Sequence, residues 1–242
     1  MDTRTELPHE NFGSAALSRE FDTVASRYDL LNALNPGYRK HLAWSAERLR
    51  ARPDAELLDL CCGTGLSTQA LLTAYPGARI SALDASAGML AVAAKKPALT
   101  AVRFLLGDAT DPAAHGASGP FDGILMAYGI RNVPDKDLCL RHLKSLLKPG
   151  GRVAFHEYSV ADSALARAIW NAVSSTVIVP LGSSLSRAPE LFRYLRRSVN
   201  EFDGVRAFVA RLERAGFGRV EVLPMDGWQR GVTHTFVAEV IA

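Results

Sequence analysis

Cysteine is scarce in this chain, with three in 242 residues. Cys61 and Cys62 are adjacent and Cys139 stands apart, so neither a disulfide framework nor a zinc-ligand spacing is present. The expectation is a reduced, cytoplasmic compartment and no bound metal. An excess of charge of one sign is also missing. A net charge of +3 makes no case for nucleic acid, and Arg193, Arg196 and Arg197 form a local cluster only. Long apolar runs are lacking as well: the nearest, at 172–185, is too short and too rich in serine to span a bilayer. Residues 1–10 are polar with a proline, which does not read as a signal peptide. Residues 1–17 read as partly disordered.

What remains is the composition of an ordinary globular chain, 48% apolar and 22% charged, long enough for one α/β domain over 1–242. No internal repeat or long linker divides it. Helices are predicted over 18–32 and from 36 to 50, making an N-terminal helical part at 18–50. Strands then alternate with helices through 56–158: strands at 56–61, 79–84, 101–106, 121–127 and 151–157, helices at 65–75, 86–95 and 135–147. That alternation predicts a doubly wound parallel sheet. Segments 161–179 and 188–199 read as helices that interrupt the alternation. The region 161–200 is therefore a helical insertion after strand five, placed to act as a lid or substrate wall. A helix at 204–215 and strands at 219–223 and 233–241 close the chain.

The most informative stretch is Leu57-Leu58-Asp59-Leu60-Cys61-Cys62-Gly63-Thr64-Gly65: a buried strand running into a Gly-x-Gly turn and a helix. Glycine there lets the backbone pass close to a ligand. Asp84 closes the second strand, where an acid can accept hydrogen bonds from both hydroxyls of a ribose. A dinucleotide fold usually shows a third glycine, to hold a pyrophosphate at the helix N-terminus. Here Thr68 stands in its place, and an acid, Asp59, lies inside the first strand. The pattern Asp59-Leu60-x-x-Gly63-Thr64-Gly65 instead resembles motif I of class I S-adenosylmethionine-dependent methyltransferases. A generic nucleotide-binding α/β domain is the alternative.

Four further positions are candidates for chemistry. Asp108, in Gly107-Asp108-Ala109, ends strand three and could bond an adenine amine, or be a turn aspartate. Arg131 and Asn132 follow strand four after Tyr128; they could hold a substrate oxygen or position a water, while Arg131 could equally cap a helix or pair with Asp135 or Asp137. Strand five ends at His156-Glu157-Tyr158-Ser159, where His156 and Tyr158 share one face and Glu157 takes the other. His156 reads either as a satisfied core histidine or as a base, and Glu157 needs a partner or a role. Tyr28, on the apolar face of the first helix, could close over a cofactor. His9, His41, His115, His142 and His234 read as isolated surface or packing residues.

Assembled, these pieces resemble the ubiquinone/menaquinone biosynthesis C-methyltransferases. The match rests on segment 21–32 (Phe-Asp-Thr-Val-Ala-Ser-Arg-Tyr-Asp-Leu-Leu-Asn), segment 58–65, segment 129–137 (Gly-Ile-Arg-Asn-Val-Pro-Asp-Lys-Asp) and segment 147–152, with a weaker fifth at 192–199. The resemblance implies a seven-stranded Rossmann-like methyltransferase sheet with its last strand antiparallel. It implies that S-adenosylmethionine is the cofactor, that Thr64, Asp84, Asp108 and Ala109 contact it, and that Arg131 and Asn132 belong to the substrate pocket. Glu157 matches the acid usually carried at the end of strand five. The chain departs from the pattern at Ala127-Tyr128, where Ser-Phe is frequent, and at His156, where an apolar residue is usual. Phe236 and Val240 stand near positions often taken by His and Lys. The cofactor half is intact and the acceptor half is altered.

The reading that follows is methyl transfer to a carbon of a phenol or quinol-like small molecule. Arg131 and Asn132 would orient a water or bind the oxygen, with His156 as the direct base and Tyr128 as second choice. Asp59, Gly63, Thr64, Gly65, Asp84, Asp108, Ala109 and Tyr28 would hold the cofactor. O-methylation of a lipid, polyketide or sugar on the same scaffold is the nearest rival. A catalytically silent scaffold, or an enzyme using the cofactor only as an electrostatic element, are rivals of another kind. A polyprenylated acceptor would need an apolar groove, which Ile169, Trp170, Val173, Val177, Ile178 and Leu181 could line, and would bring peripheral contact with a membrane; core packing explains the same spacing. A homodimer through the inserted helices is compatible with the pattern.

Overall fold

The computed structural model describes residues 14–33, 35–186 and 188–241; the reading of residues 1–13, with His9, lies outside them. Seven strands form one sheet: β1 (Glu56–Leu60), β2 (Arg79–Asp84), β3 (Arg103–Leu106), β4 (Phe121–Ala127), β5 (Leu147–Tyr158), β6 (Gly218–Pro224) and β7 (Thr233–Glu239), in the order β3-β2-β1-β4-β5-β7-β6. The pairs β1–β2, β1–β4, β2–β3 and β4–β5 are parallel. β7 lies antiparallel between β5 and β6. The doubly wound sheet with an antiparallel last strand is therefore the architecture observed.

The central strands read as unbroken apolar runs because both faces are covered. Leu58, Leu60, Ile124, Met126, Val153 and Phe155 face one core. That core is closed by α5 (Lys136–Ser145) and α9 (Val205–Arg214). Leu57, Leu125, Ala154 and Val237 point the other way, against α2 (Tyr38–Arg48) and α3 (Leu66–Ala74). The alternation of side chains along a strand is what sends neighbours to opposite cores. The long first helix, α1 (Ser14–Ala33), packs on α4 (Ala87–Ala93). Three helices start on side-chain caps, with Ser86, Asp135 and Ser163 each accepting from an N–H three residues on.

β5 begins four residues earlier than the sequence pattern suggests. Leu147 already pairs with Phe121, and the Lys148-Pro149-Gly150 turn is an irregularity inside the strand. Gly150 donates its N–H to the Val240 carbonyl at 2.8 Å, which holds that turn on the sheet.

The insertion is a continuous helical rod: α6 (Ala164–Val173), a π turn (Ser174–Ile178) and α7 (Val179–Ser186), followed by α8 (Pro189–Glu201). Pro180 has no N–H to give the carbonyl of Thr176, and the chain loosens into the π turn just before it. The rod corrects the sequence reading of its length. Asn171, Ser174, Ser175 and Thr176 interrupt the apolar run but not the helix, so Ala164–Ser186 is, by length and composition alone, long and apolar enough to cross a membrane.

Candidate active site: two cavities sharing one wall

Strand order reverses between β1 and β4, and the carboxyl ends of the strands there open a crevice. Two adjoining cavities occupy it. One is bounded by Cys61, Gly63, Asp84, Gly107, Asp108 and Ala109. The other is bounded by the insertion and the tyrosines beneath it. Phe21, Tyr28, Tyr128 and Arg131 line both.

The first cavity is built from strand ends. After β1 the chain turns through left-handed backbone at Cys61, Gly63 and Gly65 (φ 54°, 54° and 83°). A side chain at Gly65 would strike Leu99, whereas a Cβ on Gly63 would meet only open space at the cavity wall. Asp84 is fixed by two backbone donors: Gly63 N–H gives to Oδ2 and Ser86 N–H to Oδ1, both at 2.8 Å. Burial raises its pKa. A third backbone N–H, from Ala85, also bonds the carboxylate, which keeps acceptor capacity for a ligand hydroxyl on its cavity side. Asp108 and Ala109 line the opposite wall, with Asp108 Oδ1 accepting from Thr110 N–H at 2.7 Å.

Other expected ligand-holding residues stand one layer back. Thr64 is buried beside a smaller cleft and donates its hydroxyl to Asp29 of α1 at 2.5 Å, a carboxylate also held by Lys96. Asp59 lines neither cavity: its Oδ2 accepts from Ser67 and Thr68, and burial lifts its pKa to about 7. Its Oδ1 is buried without a partner among the described residues. Gly65 also lies behind the wall. From α1, Asp22 accepts from the Ser86 hydroxyl and from Gly88 N–H, so this helix is fastened over the cavity at two points, Asp22 and Asp29.

The second cavity is mainly apolar. Val173, Val177, Ile178 and Leu181 line it, but Trp170 is fully buried in the core under α6 and Ile169 packs beside it, so the groove set splits between wall and core. Five of the six tyrosines in the chain meet here: Tyr28, Tyr38, Tyr128, Tyr158 and Tyr194. Tyr38 stacks on Tyr128 at 5.7 Å, and Tyr128 lies 4.9 Å from Tyr158. Tyr38 carries no local motif, and Tyr194 lies within the weaker fifth segment, 192–199, where the resemblance assigns it no role.

A short 3-10 turn after β4 brings Arg131 to the shared wall and Asn132 to the wall of the first cavity. Arg131 pairs with neither Asp135, which caps α5, nor Asp137, which pairs with Arg211. Its partner is Glu157, at 2.7 Å, which answers the need for a partner at the end of β5. Asn132 gives its amide to the Tyr128 carbonyl and accepts from the Tyr194 hydroxyl.

His156 is fully buried and lines neither cavity, so no ligand reaches it directly. A direct-base role is replaced by contact through Tyr128, whose hydroxyl lies 2.8 Å from His156 Nε2. Burial, with His41, Arg48 and His234 nearby, holds His156 down to about 3, so the ring is neutral at ordinary pH. His41 is not isolated either: it bonds Asp226 and Gln229. No cluster of metal-ligating side chains occurs among the described residues.

The ubiE/COQ5 methyltransferase family model matches residues 10–235. The chain is 35% identical over 246 residues to a ubiquinone/menaquinone biosynthesis C-methyltransferase of Bradyrhizobium diazoefficiens, covering 94% of this chain and 96% of that protein. It is 33% identical over 224 residues to a demethylmenaquinone methyltransferase of Mycolicibacterium vanbaalenii, covering 91% of each. Among solved structures it resembles human N-acetylserotonin methyltransferase in complex with S-adenosylmethionine, at a TM-score of 0.61 and 15% identity, covering 98% of this chain and 61% of that one.

Proposed function

The chain belongs to the ubiE/COQ5 methyltransferase family, and from that membership we propose that it methylates a ring carbon of a quinol-type acceptor with S-adenosylmethionine as donor. The observation that carries this reading is the shared wall. A cavity with two strand-end carboxylates and an apolar cavity rich in tyrosine meet at Tyr28, Tyr128 and Arg131.

The residues present suit that cofactor. Asp84 offers carboxylate oxygens for a ribose diol, and Gly63 leaves open space where any side chain would intrude. When bound, S-adenosylmethionine supplies an electrophilic methyl group on a sulfonium. The protein's tasks are then to align the acceptor, exclude water and hold the acceptor's oxygen. Phe21 and Tyr28 from α1 cover the junction, and α6 to α8 cover the apolar cavity. Arg131 is already neutralised by Glu157, so its part is to shape the wall and set the local potential rather than to offer a free cation. Val177 and Leu181 of the rod are half-exposed at the mouth, which suits an acceptor with an apolar tail entering from that side.

Calorimetry with S-adenosylmethionine on the wild type and on Asp84→Ala tests the cofactor half; binding by the wild type and its loss in the variant are expected. Incubation with chemically reduced demethylmenaquinone tests the acceptor half. A product methylated on carbon is expected, and one methylated on oxygen would overturn the reading.

A further inference from the structure

Tyr128 ends a line of buried hydrogen bonds that begins at a cation. Arg48 Nη1 donates to Thr235 Oγ1 at 2.9 Å. Thr235 Oγ1 lies 2.7 Å from Ser45 Oγ, Ser45 Oγ lies 2.9 Å from His156 Nδ1, and His156 Nε2 lies 2.8 Å from the Tyr128 hydroxyl. Ser45, His156 and Thr235 are completely buried. These residues come from α2, β7, β5 and the turn after β4, and none of the bonds between them is local in sequence.

The line has a direction. Arg48 can only donate, so it occupies Thr235 as an acceptor. If Thr235 then donates to Ser45, and Ser45 to Nδ1, every proton is placed, and His156 carries its hydrogen on Nε2 and donates to the Tyr128 oxygen. Run the other way, Thr235 accepts twice and its own buried proton has no acceptor among the described residues. An unsatisfied buried donor loses its hydration with nothing in return, which decides between the two directions. In the favoured direction the line does not use the hydroxyl proton of Tyr128, a side chain that lines both cavities. Its hydrogen-bonding neighbour is the Tyr158 hydroxyl, from which an acceptor's oxygen would take it over.

We propose that this donor line makes Tyr128 the hydrogen-bond donor that holds the acceptor's oxygen as an oxyanion, with His156, Ser45, Thr235 and Arg48 as its positioning residues. The inference rests on the methyl-transfer reading above. A phenol is a weak carbon nucleophile until its O–H bond breaks. The acceptor binds as its phenolate: the O–H proton has gone to bulk water, the electron pair stays on oxygen, and the ring carbon gains density. As the new C–CH3 bond forms and the S–CH3 bond breaks, the hydrogen on that ring carbon is lost as a proton to solvent and the aromatic ring is restored. No protein base is needed, and His156 is never protonated. Hydrogen bonds in series polarise one another, and an aimed donor in a dry site acts without reorganisation. The charged and titratable groups facing the line are His41, Arg48 and His234 at the His156 end, and Arg131, Glu157, Tyr38 and Tyr158 at the Tyr128 end. Both Tyr128 and His156 are positions at which the sequence departs from the pattern it resembles. The structure shows that the two departures touch.

The test has two readouts. Nitrogen NMR of the histidine side chains in the wild type should show His156 neutral, with hydrogen on Nε2 and bare Nδ1, from pH 5 to 8. An Nδ1–H tautomer, or an imidazolium above pH 6, overturns the proposal. For the second readout, turnover of reduced demethylmenaquinone is followed against pH. Tyr128→Phe should lower kcat by about 100-fold or more and move the alkaline rise of kcat/KM upward, with S-adenosylmethionine affinity unchanged. His156→Leu should lose about as much, and adding it to Tyr128→Phe should cost nothing further. His156→Gln, which can still accept from Ser45 and donate to Tyr128, should recover most of the activity. Tyr128→Phe within about 3-fold of wild type overturns the donor role. A wild type that binds S-adenosylmethionine yet leaves the quinol unmethylated overturns the acceptor reading and this assignment with it, while the tautomer still reports on the line itself.

Discussion

Arg131 and Glu157 form a buried ion pair, Nη1 to Oε1 at 2.7 Å, with side chains 6% and 0% exposed. They lie 26 residues apart, yet the parallel pairing of β4 with β5 brings them together at the shared wall. Glu157 Oε1 also accepts from Tyr158 N–H, and Arg131 donates to the Tyr128 carbonyl. Burial raises the Glu157 pKa while the Arg131 charge opposes that shift.

A buried pair costs most when one member is removed, because the other is left charged in a poor solvent. Arg131→Ala should therefore destabilise the fold by about 3–5 kcal/mol in urea unfolding. The apolar double variant Arg131→Met with Glu157→Leu should recover much of that loss. If the single variant unfolds within about 1 kcal/mol of wild type, water reaches Glu157 and the pair is not a structural unit.

Asp59 makes stability depend on pH near neutrality. Its pKa is about 7 in the folded chain, against an ordinary value of 3.8. The folded state thus holds a proton that the unfolded chain releases, so this contribution is whole below about pH 4 and lost as pH rises through 7. Asp59→Asn cannot titrate. Its stability relative to wild type should rise by an amount on the order of a few kcal/mol between pH 4 and 8, in urea melts taken at each pH. A constant difference across that range would show Asp59 charged throughout.

His156 and His234 act in the opposite sense at acid pH. Burial lowers His156 to about 3 and His234 to about 4, from 6.5. Unfolded imidazoles take up protons first, so the stability these rings contribute is present above pH 6.5 and lost as pH falls toward 3. His156→Gln should make the acid limb of stability shallower by about one proton. An unchanged slope would mean that His156 titrates alike in both states.

Much of this molecule follows from local pattern. Leu57-Leu58-Asp59-Leu60 is apolar enough to be a strand covered on both faces, and it is one. The Gly63-Thr64-Gly65 turn and Asp84 declare themselves because a left-handed turn and a strand-end acid are short-range requirements. The rod was harder to read. Polar residues at 171 and 174–176 break its hydropathy while its backbone hydrogen bonds continue, and only packing separates the buried Trp170 from the lining residue Val173.

The order of β1 to β5, the glycine turn and the carboxylates of the cofactor side were determined by the sequence alone, since each depends on residues within about one element of one another. Partnership was decided only by the tertiary structure. Glu157 finds Arg131, His156 finds Tyr128 and Ser45, and five tyrosines converge on one cavity because strand register and helix packing set those distances. A strand pattern tells which way His156 points. It does not tell that Tyr128 stands between His156 and the ligand, and that placement turns an expected base into a buried neutral donor.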